Sequence, residues 1–262
     1  MLVRASVPLV VPPRAISHAS AAAVHALPFV QQPPDQVQLT DPRRARPDGS
    51  RFLRIHHGVL DMPTETPGEQ HPSTLPVEFV GARVTSLVRT LADVASTAPW
   101  VASVPMIDAA LGREATTPAL LRAALDRVAP QAHARARVAL EMGSALSGSP
   151  AESVARVRFR QLGTPEPVQQ HEFSRAGAQR AVVDFWFPDQ GVVVEVDGRA
   201  KYEDPQMLAG ISTADAHWRE KQREDFVRSF TAVRCFVRLT WADLMDPETV
   251  RAKLTQAGIP CR

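Results

Sequence analysis

The sequence predicts an α/β C-terminal domain, a small mixed sheet flanked by helices, preceded by an α+β N-terminal domain. Three observations predict it. Residues 144–150 read SALSGSP, small, polar and breaker-rich, which divides the chain into 1–146 and 147–262. Beyond that divide the periodicities run helix, hairpin, helix, strand, helix. Before it, short strand-like runs are followed by helix-like ones, with no internal repeat.

Composition allows this division. A chain of 262 residues holds two ordinary domains. Hydrophobic residues at 44% and charged residues at 22% supply cores and exclude a disordered chain. A net charge of +2 does not by its size announce a nucleic-acid partner. Of the 30 basic residues, Lys201, Lys221 and Lys253 are lysine and the rest are arginine, which singles those three out. Cys235 and Cys261 have no metal-ligand spacing and form no disulfide framework, as in a reducing cytoplasm. No apolar run approaches the roughly 18 residues that span a membrane. Pro8, Pro12 and Pro13 interrupt the apolar start and no cleavage site follows, so no signal peptide is read.

In the N-terminal part the first 15 residues read as irregular and Ser17–Ala26 as a short alanine-rich helix. Gln36–Thr40, Phe52–His56 and Glu78–Val84 read as strands, and Leu60–Pro76, with its prolines, as a loop. Thr85 or Ser86 caps a helix with Leu87, Leu91, Val94 and Ala95 on one face. Thr117 and Pro118 open another, and Gln131–Leu146 reads as a third. The histidines, His56–His57 included, show no ligand spacing and read as surface or capped residues.

In the C-terminal part, Ser149–Pro150–Ala151–Glu152 is a capping-box start for a helix that ends at Gly163. Ala181–Phe187 and Gly191–Asp197 form a hairpin around Pro188–Gly191; Thr213–Phe230 is a long charged helix. Val233–Leu239 alternates with period two, and Asp246–Pro247 caps a final helix that stops at Gly258.

The hairpin carries the chemistry. A four-residue loop pairs Phe187 with Val192, Trp186 with Val193, Phe185 with Val194 and Asp184 with Glu195. One face is then Val183, Phe185, Phe187, Val192, Val194 and Val196, wholly apolar. The other carries Val182, Asp184, Trp186, Val193, Glu195 and Asp197. Like charges opposed across a strand pair, about 5 Å apart at Cβ, destabilise it. A divalent cation would turn that repulsion into ligation. The alternative is that the carboxylates sit at a solvated edge or pair with arginines such as Arg180 or Arg199.

PVQQHEF, AVVDFWFPDQGVVVEVDG, REKQRED and VRLTWADL, within residues 149–246, resemble the nuclease domains similar to the very-short-patch-repair endonuclease, found in uncharacterised endonuclease-domain proteins of actinobacteria. The resemblance implies a restriction-endonuclease-like PD-(D/E)XK fold, DNA as substrate, Mg²⁺ or Mn²⁺ as cofactor, and Asp184 and Glu195 as metal ligands. Glu152 matches an acid that commonly joins that cluster, and it also reads as the acid of its capping box. Asp197 stands where the motif usually ends in lysine, and is a further candidate ligand. The missing cation would then come from Lys221 on the next helix, or from Lys201; Lys221 also reads as the partner of Asp225. Gln170 resembles a glutamine of the pattern. Arg156 and Arg160 share a helix face and suit phosphates, or merely solvate it. Trp186 reads as packing before base stacking.

ISHASAAAVHALPF, GARVTSLVRTLADVA and IDAALGR resemble the region after the winged helix-turn-helix of AbiEi-type antitoxin-like proteins, and that winged module has no counterpart here. This resemblance leaves a cognate toxin or a second copy of the chain as partners besides DNA, with no membrane. The function expected is metal-dependent phosphodiester hydrolysis. Its rival is a non-catalytic antitoxin-type regulator built on a degenerate nuclease fold. A carboxylate-pair glycosidase is disfavoured, because cross-strand acids stand too close to flank a sugar.

Overall fold

A computed structural model of the chain describes residues 2–60, 71–125, 133–175, 180–197 and 213–262, with side chains in the last stretch described from Trp218. Two mixed sheets are flanked by helices, and the chain divides into compact units Met1–Ala145 and Leu146–Arg262. No helix among the described residues is long and apolar enough to cross a membrane.

The first unit holds strands β1 (Ala15–Ile16), β2 (Val37–Asp41), β3 (Asp48–Gly49), β4 (Leu53–His57), β5 (Val77–Phe79) and β6 (Ala82–Val84), ordered β3-β4-β2-β1-β6-β5. Helices α1 (Leu2–Ser6), α2 (His18–Val24), α3 (Leu87–Thr97), α4 (Trp100–Gly112), α5 (Pro118–Leu125) and α6 (His133–Glu141) complete it. Ser86 caps α3 by accepting the Arg89 N–H. Three expectations need correction. The start is not irregular, since α1 forms there. The run Glu78–Val84 is two strands folded back at Val80–Gly81, both at positive φ. α4 is additional to the expected helices: apolar residues surround it, so burial leaves no amphipathic stripe to read. Within Leu60–Pro76, residues 61–70 lie outside the described residues.

The second unit runs α7 (Pro150–Gln161), β7 (Val168–Ser174), β8 (Arg180–Phe187), β9 (Val192–Asp197), α8 (Thr213–Arg228), β10 (Cys235–Thr240), α9 (Trp241–Met245) and α10 (Pro247–Gln256). The sheet order is β10-β9-β8-β7, antiparallel except for the parallel β9–β10 pair. β7 and α9 are additional to the expected element order. Ser149 caps α7 and Pro150 opens it; Gly163 follows at φ +59. The hairpin turns at Gly191, φ +67, where a Cβ would lie 2.6 Å from the Ala232 carbonyl, so only glycine fits.

Both faces of this sheet are covered. Phe159 of α7 meets Phe185 and Phe187 edge-on, with ring centroids 5.1 and 5.5 Å apart. On the opposite side Phe226 and Val227 of α8 pack with Trp186 and Val193. Val183, Phe185, Phe187, Val192, Val194 and Val196 are all buried. The carboxylate-bearing residues are therefore held on strands clamped between two helices.

Candidate functional site

The registers Phe185↔Val194, Trp186↔Val193 and Phe187↔Val192 are those expected. Asp184 and Glu195 are the next position along, but backbone pairing stops at Phe185. The Asp184 carboxylate reaches across instead, its Oδ2 accepting the Val196 N–H at 2.8 Å. On its other side Asp184 faces Gln170, between the pairs Gln169↔Phe185 and His171↔Val183. Gln170 holds φ at 49°, a left-handed conformation unusual inside a strand. Its side chain donates to Glu152 Oε2 at 2.9 Å.

Glu152 lies at the start of α7, within electrostatic reach of Asp184. It belongs to the cap of α7, accepting Gly148 N–H at 2.9 Å and the Ser149 hydroxyl at 2.8 Å. It also senses the cluster. Burial first, then the charge of Asp184, raise its pKa above the ordinary carboxylate range despite three hydrogen bonds that favour the anion.

Glu195 is 5% exposed. Burial, then the Asp184 charge, push its pKa up to about 7, against the stabilising Arg223 guanidinium. Arg223, on α8, donates from Nη1 to Glu195 Oε1 at 3.1 Å and to the Val182 carbonyl at 2.7 Å. Its Nε and Nη2 bind Glu220 at 3.0 and 2.8 Å. Sequence reasoning missed Arg223 because rarity drew attention to lysine. The available signal was spacing: in an arginine-rich chain, any arginine on the helix after the hairpin can serve.

The other expected residues lie as follows. Lys221 is exposed on α8. Two residues from Arg223, it lies about 200° round the helix from it. Lys201 and Arg199 lie outside the described residues. Asp197 ends β9, half-buried, beside Thr240. Among the described residues no group of three or more His, Cys, Asp or Glu side chains stands close enough to hold one metal ion. Trp186 is buried, edge-on to Phe173, in keeping with packing. The expectation of surface or capped histidines fails for His18, which is buried and stacked on His56 with centroids 3.6 Å apart.

The site therefore places Asp184 within electrostatic reach of both Glu152 and Glu195, with Arg223 on Glu195. Comparison with protein-family models, with curated proteins and with solved structures gives no match to this chain.

Proposed function

We propose that the second unit is a metal-dependent endonuclease of the PD-(D/E)XK type acting on DNA. The carrying observation is that burial and Asp184 together drive Glu152 and Glu195 away from ionisation. Folding alone gains nothing by crowding carboxylates against an apolar sheet. The donor set, carboxylate oxygens without sulfur or imidazole, fits a hard divalent cation. Mg²⁺ typically takes one or two carboxylates, retains waters and is completed by phosphate, so Asp184 and Glu195 suffice without a third ligand. Such an ion supplies Lewis-acid polarisation of a phosphate oxygen and a more acidic bound water.

The chain's own residues then have distinct roles. Asp184 and Glu195 present the ligand oxygens, and the Val196 N–H fixes the orientation of Asp184. Arg223 holds Glu195 and provides a permanent positive charge beside the reacting phosphate, the role otherwise expected of Lys221. Glu152, anchored by Gly148, Ser149 and Gln170, adds negative potential and orients a water.

A second reading has its own observation: Arg223 already neutralises part of the Glu195 charge, which suits a regulator that binds nucleic acid without cutting it. One experiment separates them. Purified full-length protein is incubated with single-stranded, nicked and linear duplex DNA in Mg²⁺, Mn²⁺ or EDTA. Cleavage in metal and none in EDTA is expected; binding without cleavage under every condition supports the regulator.

A further inference from the structure

Beside the carboxylates the second unit has a cavity of about 320 Å³ lined by Arg156, Arg160 and Arg262, together with Thr164, Glu166 and Gln169. We propose that it seats a backbone phosphate of the nucleic-acid strand, one or two nucleotides from the phosphate at the carboxylates. The inference rests on the nuclease reading for the identity of that strand and deepens it.

The arginines of α7 divide by task. Arg158 is buried and satisfied by the protein: Nε donates to the Leu244 carbonyl at 2.7 Å and Nη1 to Gln161 Oε1 at 2.8 Å. Arg156 and Arg160, four residues apart, share the cavity face. Like charges at that spacing destabilise a helix, so helix stability does not explain them. Arg262 adds a third guanidinium from the other end of the unit. It is led there by its own N–H on the Leu162 carbonyl at 2.7 Å and by Gly163, where a Cβ would lie 3.1 Å from Arg262 Cβ. The Arg262 main-chain oxygen is taken up by Arg251 Nη1 at 3.4 Å. Glu166 is the carboxylate of the lining. Three planar donor forks against one carboxylate favour a phosphate, whose oxygens match a guanidinium bidentately. The volume lies at the small end of ligand sites, room for a phosphate and its sugar.

Position ties the cavity to the carboxylates. Glu152 and Arg156 stand one turn apart on α7, about 6 Å along its axis. Ser147 links both walls, accepting from Arg156 Nη1 at 3.4 Å and from Gln169 Nε2 at 3.5 Å. The next residue, Gly148, binds Glu152, and the residue after Gln169, Gln170, binds it too. A strand spaces its phosphates by about 3.4 Å of helical rise, so a chain crossing the carboxylates brings a neighbouring phosphate over the cavity.

The test measures binding without cleavage. A fluorescent single-stranded oligonucleotide is titrated with full-length wild type, Arg160→Gln, Arg262→Gln and, as control, Arg180→Gln, in EDTA across a salt series. Each cavity variant should bind several-fold more weakly. Its slope of log affinity against log salt should shrink by about 0.7, the share of a single neutralised phosphate. Both cavity residues are exposed, so melting midpoints should be unchanged, and a variant that fails to fold leaves the other to decide. Wild-type slopes in both cavity variants, or an equal reduction in Arg180→Gln, overturn the proposal. So does inorganic phosphate that raises the wild-type midpoint and not the Arg160→Gln midpoint while DNA slopes stay unchanged, because the cavity then serves a free anion. Reduced slopes in a protein that never cleaves DNA support the cavity and refute the nuclease reading alone.

Discussion

Both units bury polar clusters, and the clusters resolve their charge in opposite ways. In the first, Arg89 Nε meets Asp93 Oδ1 at 2.8 Å, both side chains 4% exposed. His18 and His56 stack beside them, their pKa values lowered to about 3, chiefly by burial. Ser17 Oγ lies 2.9 Å from His18 Nδ1 and accepts the Thr40 hydroxyl at 2.8 Å. The buried Arg89 and Asp93 charges offset one another, and the imidazoles are neutral. In the second, burial accumulates one sign: Glu152, Asp184 and Glu195, with Arg223 on Glu195 and shared with Glu220. A neutral cluster contributes to its own fold. A like-charged one costs its fold stability and suits a ligand of opposite sign. That contrast, rather than burial or perturbed pKa alone, makes the second cluster the candidate site behind the proposed function.

The largest effect expected sharpens the structural side of the contrast. Arg89 binds Asp93 and also donates to the Val59 carbonyl. Arg89→Ala strands a buried carboxylate, which should destabilise the first unit by ~3–5 kcal/mol. Urea unfolding followed by hydrogen exchange, resolved by unit, checks this; a change below ~1 kcal/mol would mean the pair is replaceable by water.

Next in size is the catalytic side. Asp184→Asn and Glu195→Gln should each reduce metal-dependent cleavage by ~10²-fold or more, the scale on which one transition-state stabiliser is felt. Far-UV circular dichroism should be unchanged. His56→Gln in the first unit should cleave as wild type. Undiminished turnover in either carboxylate variant would remove the site.

The third prediction uses pH. Glu195 titrates near 7 when folded and near 4.5 ordinarily. A raised acid contributes stability that is present below about pH 4.5 and is lost as pH rises through about 7. His18 and His56 run the other way: with folded values lowered to about 3 from 6.5, their contribution is present above 6.5 and is lost as pH falls. Between pH 5 and 8 the second unit should therefore lose up to about 3 kcal/mol in EDTA while the first gains. Glu195→Gln should reduce that loss, leaving the share of Glu152, whose pKa is also raised. Parallel pH profiles of opening in the two units, read by hydrogen exchange, would contradict the comparison.

Much of the second unit was legible because local and global signals agree there. A glycine-ended four-residue turn and an unbroken apolar face leave little freedom in register, so the pairs from Phe187↔Val192 to Phe185↔Val194 could be set from the sequence, though the ladder stops short of Asp184 and Glu195. What escaped depends on contacts distant in sequence. Arg223 is 28 residues from Glu195. Gln170 reaches Glu152 only because its backbone adopts a φ that no residue pattern announces. β7 starts after Pro165 and Pro167 with polar residues, and its pairing with β8 supplies what propensity lacks. In the first unit the strands are two to five residues long, and a two-residue strand such as β1 has no periodicity to detect. The stacking of His18 on His56 joins residues 38 positions apart, which spacing rules for ligands do not address.

The smallest effect tests the site without substrate. Asp184 accepts the Val196 N–H across the strand pair, and an asparagine carbonyl can accept the same bond. Asp184→Asn therefore removes a charge while keeping that hydrogen bond. The charge is the second cause raising both Glu152 and Glu195. The variant should melt higher than wild type at pH 8 in EDTA, by an amount corresponding to ~1 kcal/mol, the size of an opposed like-charge pair. At pH 5 Glu195 is protonated in wild type, so the Asp184 charge no longer faces its anion and the gain should shrink. Mn²⁺ should raise the wild-type midpoint by mass action, since only the folded chain brings the two ligands together, and should move the variant little. Melting both proteins with and without Mn²⁺ at the two pH values decides between the readings. A wild type indifferent to Mn²⁺ and more stable than Asp184→Asn would place the second cluster beside the first. Its charges would then be balanced within the fold by Arg223, leaving no need for a cation from outside.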